Sequence, residues 1–186
     1  MSSVAISGNA SGAGVFTIAA PNSASSYTLT LPTVTGTILT TASNSNFPSG
    51  SVLQMLITQD AGSSTSSTSQ VNLSAGSQSI TPKSTTSRIL VRCSFMAYIP
   101  NLAATNVQAA FQLYDSTNAA TIGYNVTFGT LSGSGNIGVS ANQTIEYFVT
   151  NSALTLRSFT LRGNTGNASV AFSATQCVWT LTEVSN

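Results

Sequence analysis

Seven side chains are the natural candidates for nucleophilic, acid–base or metal chemistry: Asp60, Lys83, Cys93, Asp115, Glu146, Cys177 and Glu183, with no histidine among them. A serine or cysteine nucleophile needs a neighbouring base. The lysine alternative rests on Lys83, which follows Pro82 in an apparent turn. Glycoside hydrolysis needs two carboxyl groups on either side of a sugar. Asp60 precedes Ala-Gly-Ser and Asp115 precedes Ser-Thr-Asn, contexts in which aspartate is favoured for turn hydrogen bonds. Glu146 and Glu183 lie in strand-like segments. Zinc needs clustered Cys and His, and a calcium loop needs closely spaced carboxylates; the sequence offers neither spacing. Gly129 to Gly135 lacks the Lys-Ser/Thr of a phosphate loop. The expectation is a protein that is not an enzyme and carries no cofactor or metal.

The remaining charges read as architecture. An ion pair between Arg92 or Arg157 and Glu146 or Glu183 would fix register between strands or subunits, whereas Arg88 and Arg162 read as solubilising charge. Cys93 and Cys177 are too few for a disulfide framework and read as small buried hydrophobes, with a disulfide as the alternative. Tyr98, Tyr114, Tyr124, Tyr147 and Trp179 read as core or interface aromatics rather than a sugar platform.

Such sparse chemistry has to be placed by its elements, and composition says which. The 186 residues carry five Lys plus Arg and four Asp plus Glu, while 41% are hydrophobic. That is too apolar and too weakly charged for a disordered chain. A net charge of +1 suits a protein that spends its life in an assembly, because obligate interfaces are depleted in charge. The cations are dispersed, which excludes nucleic-acid binding, and no apolar run approaches a membrane span. The start lacks a basic segment followed by an apolar one, so synthesis in a cytoplasm is expected.

Helical periodicity is nearly absent. In residues 88–100, Ile89, Val91, Cys93, Phe95, Ala97 and Ile99 share one face, which reads as sandwich core. The opposite face, with Leu90, Arg92, Ser94, Met96 and Tyr98, is mixed, as where another sheet or subunit covers it. Further strands are expected at 51–58, 70–73, 107–114, 123–131, 144–150, 154–162 and 170–183, separated by Gly, Asn, Ser and Pro punctuation. Residues 62–69 and 132–138 read as loops and 163–167 as a tight turn. Around eight antiparallel strands predict an all-β, jelly-roll-like sandwich over residues 49–186.

Residues 1–48 differ. The first Asp, Glu, Lys or Arg is Asp60, and the short strands around residues 15–20, 27–31 and 37–41 are too small to build a core. Their apolar residues Phe16, Ile18, Tyr27, Leu29, Leu31, Ile38 and Leu39 are therefore expected to pack on something else, as an anchor.

Two stretches carry a resemblance. Val15-Phe-Thr-Ile-Ala-Ala-Pro21, Tyr27-Thr-Leu-Thr-Leu-Pro32 and Thr35-Gly-Thr-Ile-Leu-Thr-Thr41 resemble a module near the attachment ends of tailed-bacteriophage fibres. Ile80-Thr-Pro-Lys-Ser-Thr-Thr-Ser-Arg-Ile-Leu-Val91 and Trp179-Thr-Leu-Thr-Glu-Val184 resemble segments of phage tail-fibre and virion surface domains. The resemblance implies a homotrimeric virion protein, attached to capsid or tail proteins through residues 1–48, with residues 49–186 as a β knob. The missing shaft favours a short fibre, head fibre, capsid decoration or cement protein. The alternative is a fibre tip that binds a host surface glycan through loops 62–69 and 132–138.

Overall fold

The computed structural model describes residues 11–15, 17, 22–26, 28, 47–73, 77–99, 108–128 and 138–186, of which 124–128 are described by backbone alone. Phe16, Ile18, Tyr27, Leu29, Leu31, Ile38 and Leu39, the expected anchor contacts, lie outside the described residues. The chain divides into two units, Met1–Ile38 and Leu39–Asn186. Every strand among the described residues lies in the second.

Nine strands and no helix are found there among the described residues. They are β1 (Val52–Thr65), β2 (Val71–Asn72), β3 (Gln78–Ile80), β4 (Arg88–Ile99), β5 (Ala109–Asp115), β6 (Ala120–Phe128), β7 (Val139–Thr150), β8 (Arg157–Thr165) and β9 (Phe172–Val184). One sheet has the order β1-β9-β4-β7. The second has the order β2-β8-β5-β6, with β3 also on β8. Every pairing is antiparallel. Only β5 and β6 are neighbours both in sequence and in a sheet; the other pairings join distant strands. With β2 and β3 counted as one interrupted strand, this is the order of a jelly roll, two four-position sheets face to face.

The alternation expected for β4 is the one that builds the core. Ile89, Val91, Cys93, Phe95, Ala97 and Ile99 are all buried. Phe95 and Phe111 bring the two sheets together with ring centroids 4.8 Å apart, and Phe172 meets Phe111 edge-on at 5.4 Å. Trp179, Leu181, Phe159 and Leu161 complete that interior.

Three local expectations are corrected. The tract 62–69 is not wholly a loop, because β1 runs on to Thr65 and pairs with β9 as far as Phe172. Gly62 makes this possible. Its φ is +72°, and a Cβ there would stand 2.0 Å from the Ala174 carbonyl oxygen, so the strand crosses an irregularity that only glycine fits. The turn expected at 163–167 starts later: Gly163, Asn164 and Thr165 belong to β8. Gly163 lies against Leu73 and Phe172, where a side chain would clash. Finally, β3 is an additional strand, three residues held on β8 by Gln78, Ser79 and Ile80.

Candidate functional site: the outer face of the four-stranded sheet

The two sheets bury similar inner faces and present very different outer ones. On the β2-β8-β5-β6 sheet the outer side chains bond to one another. Gln70 donates to Asn164 at 2.6 Å, Arg162 Nε donates to Asn72 at 3.0 Å, and Ser79 and Ser158 share a bond of 2.8 Å. The Arg162 guanidinium also lies 3.7 Å from the centre of the Tyr114 ring. Among the described residues this surface pairs polar side chains across neighbouring strands, which suits water.

The outer face of β1-β9-β4-β7 is built from other residues. Register places Met55, Thr182, Leu90 and Phe148 side by side across all four strands. The next row is Ile57, Thr180, Arg92 and Glu146, and the third is Gln59, Val178, Ser94 and Thr144. Met55 is 57% exposed, Ile57 61% and Phe148 47%. Tyr98, further along β4, is exposed as well. Four large apolar side chains on one face are unusual where neighbouring positions are free to be polar, and contiguous apolar patches mark interaction surfaces.

The expected charge contacts fall in three places. Arg92 and Glu146 stand opposite each other on β4 and β7, Nε to Oε2 3.8 Å, in the second row of this face. Both side chains are at least half exposed, so the pair contributes little stability by itself. Arg157 pairs with neither glutamate. Burial at the start of β8 turns its guanidinium to the Asp115 carboxylate, and its Nη1 donates to the Thr150 carbonyl at 3.2 Å. Asp115 also accepts from the backbone of Thr117 and Asn118 at 3.0 and 3.1 Å, the turn bonding its sequence context predicts.

Glu183 is fully buried and takes no arginine among the described residues. Its carboxylate accepts from Lys83 N at 2.9 Å, Ser84 N at 3.1 Å, Ser87 Oγ at 2.5 Å and Gln54 Nε2 at 2.6 Å. It pins the turn between β3 and β4 to β9. Asp60 accepts from Gly62 N at 2.8 Å, across the β1 irregularity. The four carboxylates are thus divided between the outer face, a turn clamp, a buried ion pair and a strand irregularity. No two of them face each other in the way that hydrolysis of a sugar requires.

Of the loops expected to meet a glycan, residues 62–65 are strand, and 132–137 lie outside the described residues. The sequence marks the mixed face of β4 but does not single out Met55, Ile57 or Phe148. For Met55 and Ile57 a signal was available: Val52, Leu53, Met55, Leu56 and Ile57 place apolar residues at both parities around Gln54, more than a strand with one solvated face requires.

No protein-family model matches the chain, and no curated protein matches it. Solved structures share coarse likeness. Dimeric latent PorU from Porphyromonas gingivalis is 10% identical, with a TM-score of 0.46 over 77% of this chain and 14% of that one. The infectious bursal disease virus Gt strain structure is 9% identical, with a TM-score of 0.43 over 70% of this chain and 34% of that one. A D431N mutant VP2 protein of the same virus, in T=1 particles, is 10% identical, with a TM-score of 0.42 over 73% and 37%. The chain spans well under half of each of these proteins.

Proposed function

We propose that this chain is a non-enzymatic structural protein of a tailed-bacteriophage particle, a homotrimer whose knobs associate through the outer face of the β1-β9-β4-β7 sheet. The contrast between the two outer faces supports the association. Among the described residues one carries polar side chains bonded to one another; the other carries Met55, Ile57, Leu90 and Phe148 in adjoining rows. Strand spacing and rise give a four-stranded face of this length roughly 600–800 Å², close to the ~800 Å² that each partner contributes to a standard interface. Arg92 and Glu146, set within that face, supply opposite charges that a neighbouring copy can meet in register.

The fibre-like motifs of residues 15–41 and 80–91 support the virion setting, with residues 1–48 attaching to capsid or tail proteins as decoration, cement or short fibre. Particle incorporation tests it. Phage assembled with the chain lacking residues 1–46 is expected to lose the protein while the knob still folds. Unchanged incorporation would overturn the anchor, and a knob found only in the soluble host fraction of a wild-type infection would overturn the virion assignment.

A further inference from the structure

The two sheets also end differently at their edges. The polar sheet stops on one side at β2 and β3, strands of two and three residues, and short edge strands are poor templates for further pairing. The four-stranded sheet stops at β1 and β7, of 14 and 12 residues. Neither contains proline, lysine or arginine, and each carries a single charge, Asp60 and Glu146. The sheet order leaves one side of each without a neighbouring strand among the described residues. Long strand edges of this kind invite pairing with another chain.

Resting on the trimer reading above, we propose that the copies join edge to edge: β7 of one chain pairs with β1 of the next, and three four-stranded sheets continue into one closed sheet. Strand polarity supports this arrangement. β1 and β4 run one way, β9 and β7 the other. A threefold axis lying along the strands, in front of the outer face, brings β7 of each copy beside β1 of its neighbour. The two are then antiparallel, the more stable pairing. Phe148 at the β7 rim and Met55 and Ile57 at the β1 rim, all exposed in the single chain, come together at the seam. There a thioether and an aromatic ring make a favourable contact.

Area points the same way. In a ring of three, the roughly 600–800 Å² of each outer face is shared between two neighbours, leaving roughly 300–400 Å² for each contact. That is about half of the ~800 Å² per partner of a standard interface. The edge of a strand of 12 residues is about 40 Å long, and with a sheet and its side chains about 10 Å deep it adds roughly 400 Å². Face and edge together reach the standard size, and neither does so alone. The seam also gives hydrogen-bond partners to backbone N–H and C=O groups along both edges.

Disulfide trapping tests the seam in the full-length chain. Phe148→Cys is combined in turn with Met55→Cys, Ile57→Cys and Gln59→Cys, because closing a sheet shifts register between strands. Within one chain the two positions are three strand spacings apart, at least about 14 Å, too far for a disulfide. The native Cys93 and Cys177 are free and buried. Mild oxidation of at least one combination is expected to yield a covalent trimer that survives denaturant, whereas each single variant stops at a dimer or below. Amide exchange of the wild-type chain is the second measurement. A free edge strand protects every other amide, and a paired one protects consecutive amides along β1 and β7. A trimer by mass with no trapped seam and alternating protection would overturn the edge pairing and leave the trimer reading standing. A wild-type monomer would overturn both. A wild-type dimer with consecutive protection in β1 only, the mark of β1 meeting β1, would overturn both as well.

Discussion

The Arg157 guanidinium and the Asp115 carboxylate meet where β8 begins and β5 ends, and both side chains are almost wholly withdrawn from solvent. Arg157 also donates to Thr150 at the end of β7. One side chain of the β2-β8-β5-β6 sheet thereby reaches the last residue of a strand in the other sheet. Removing one member of such a pair leaves a buried charge without its partner. Asp115→Ala is expected to lower stability by about 3–5 kcal/mol in urea unfolding. A loss below about 1 kcal/mol, the range of exposed pairs, would show that the pair does not join the sheets. Arg92→Ala, at the exposed pair on the outer face, is expected to stay within that smaller range.

Glu183 holds the turn before β4 without any cation among the described residues. Ser87, 2.5 Å from its carboxylate, is buried with it. A hydrogen bond to a charged group contributes about 1.5–3 kcal/mol, so Ser87→Ala is expected to cost that much. Glu183→Ala strands the Lys83 and Ser84 amides as well and should cost more. Amide exchange at Lys83 and Ser84 provides the local readout: protection falls in both variants, whereas protection at β8 amides is retained in Ser87→Ala.

Gly62 is required by the close approach of β9. Gly62→Ala combines a left-handed φ with a methyl group driven into the Ala174 carbonyl, and a loss of roughly 2–4 kcal/mol is expected. Gly50 has a φ of +85° but open space around it, so Gly50→Ala should cost roughly 1 kcal/mol. Thermal melts of the two variants check the difference; equal melting temperatures would contradict the steric account.

Much of the sandwich was legible because its core strands alternate. β4 and β9 read correctly, since period-two burial is written into Ile89 to Ile99 and into Trp179 and Leu181. β1 was cut short, because Ser and Thr at 63–65 look like loop, and pairing to β9 overrides local preference. The turn at 163–167 misled for a related reason. Gly163 is there for close packing and not for a bend. Which arginine meets which carboxylate was beyond the sequence. Arg157 and Asp115 are 42 residues apart and come together only through the sheet order. Arg92 and Glu146 needed the β4–β7 register. The apolar outer face is likewise a product of topology, because it takes its residues from β1, β4, β7 and β9.

If that face joins copies of the chain, charge on it should separate them without unfolding the sandwich. Ile57 and Leu90 lie in adjoining rows, both on the outer side. Ile57→Asp with Leu90→Asp is expected to yield a folded monomer. Arg162→Asp, on the polar sheet, should leave association unchanged. Because the contact is apolar, association should also persist in about 1 M salt, where screening is nearly complete.

Sedimentation equilibrium of the full-length chain at micromolar concentration tests the central claim most directly. The account predicts three times the monomer mass of 19.0 kDa, falling to one in the Ile57→Asp, Leu90→Asp variant. A wild-type chain that sediments as a folded monomer, or a double variant that remains trimeric, would contradict it.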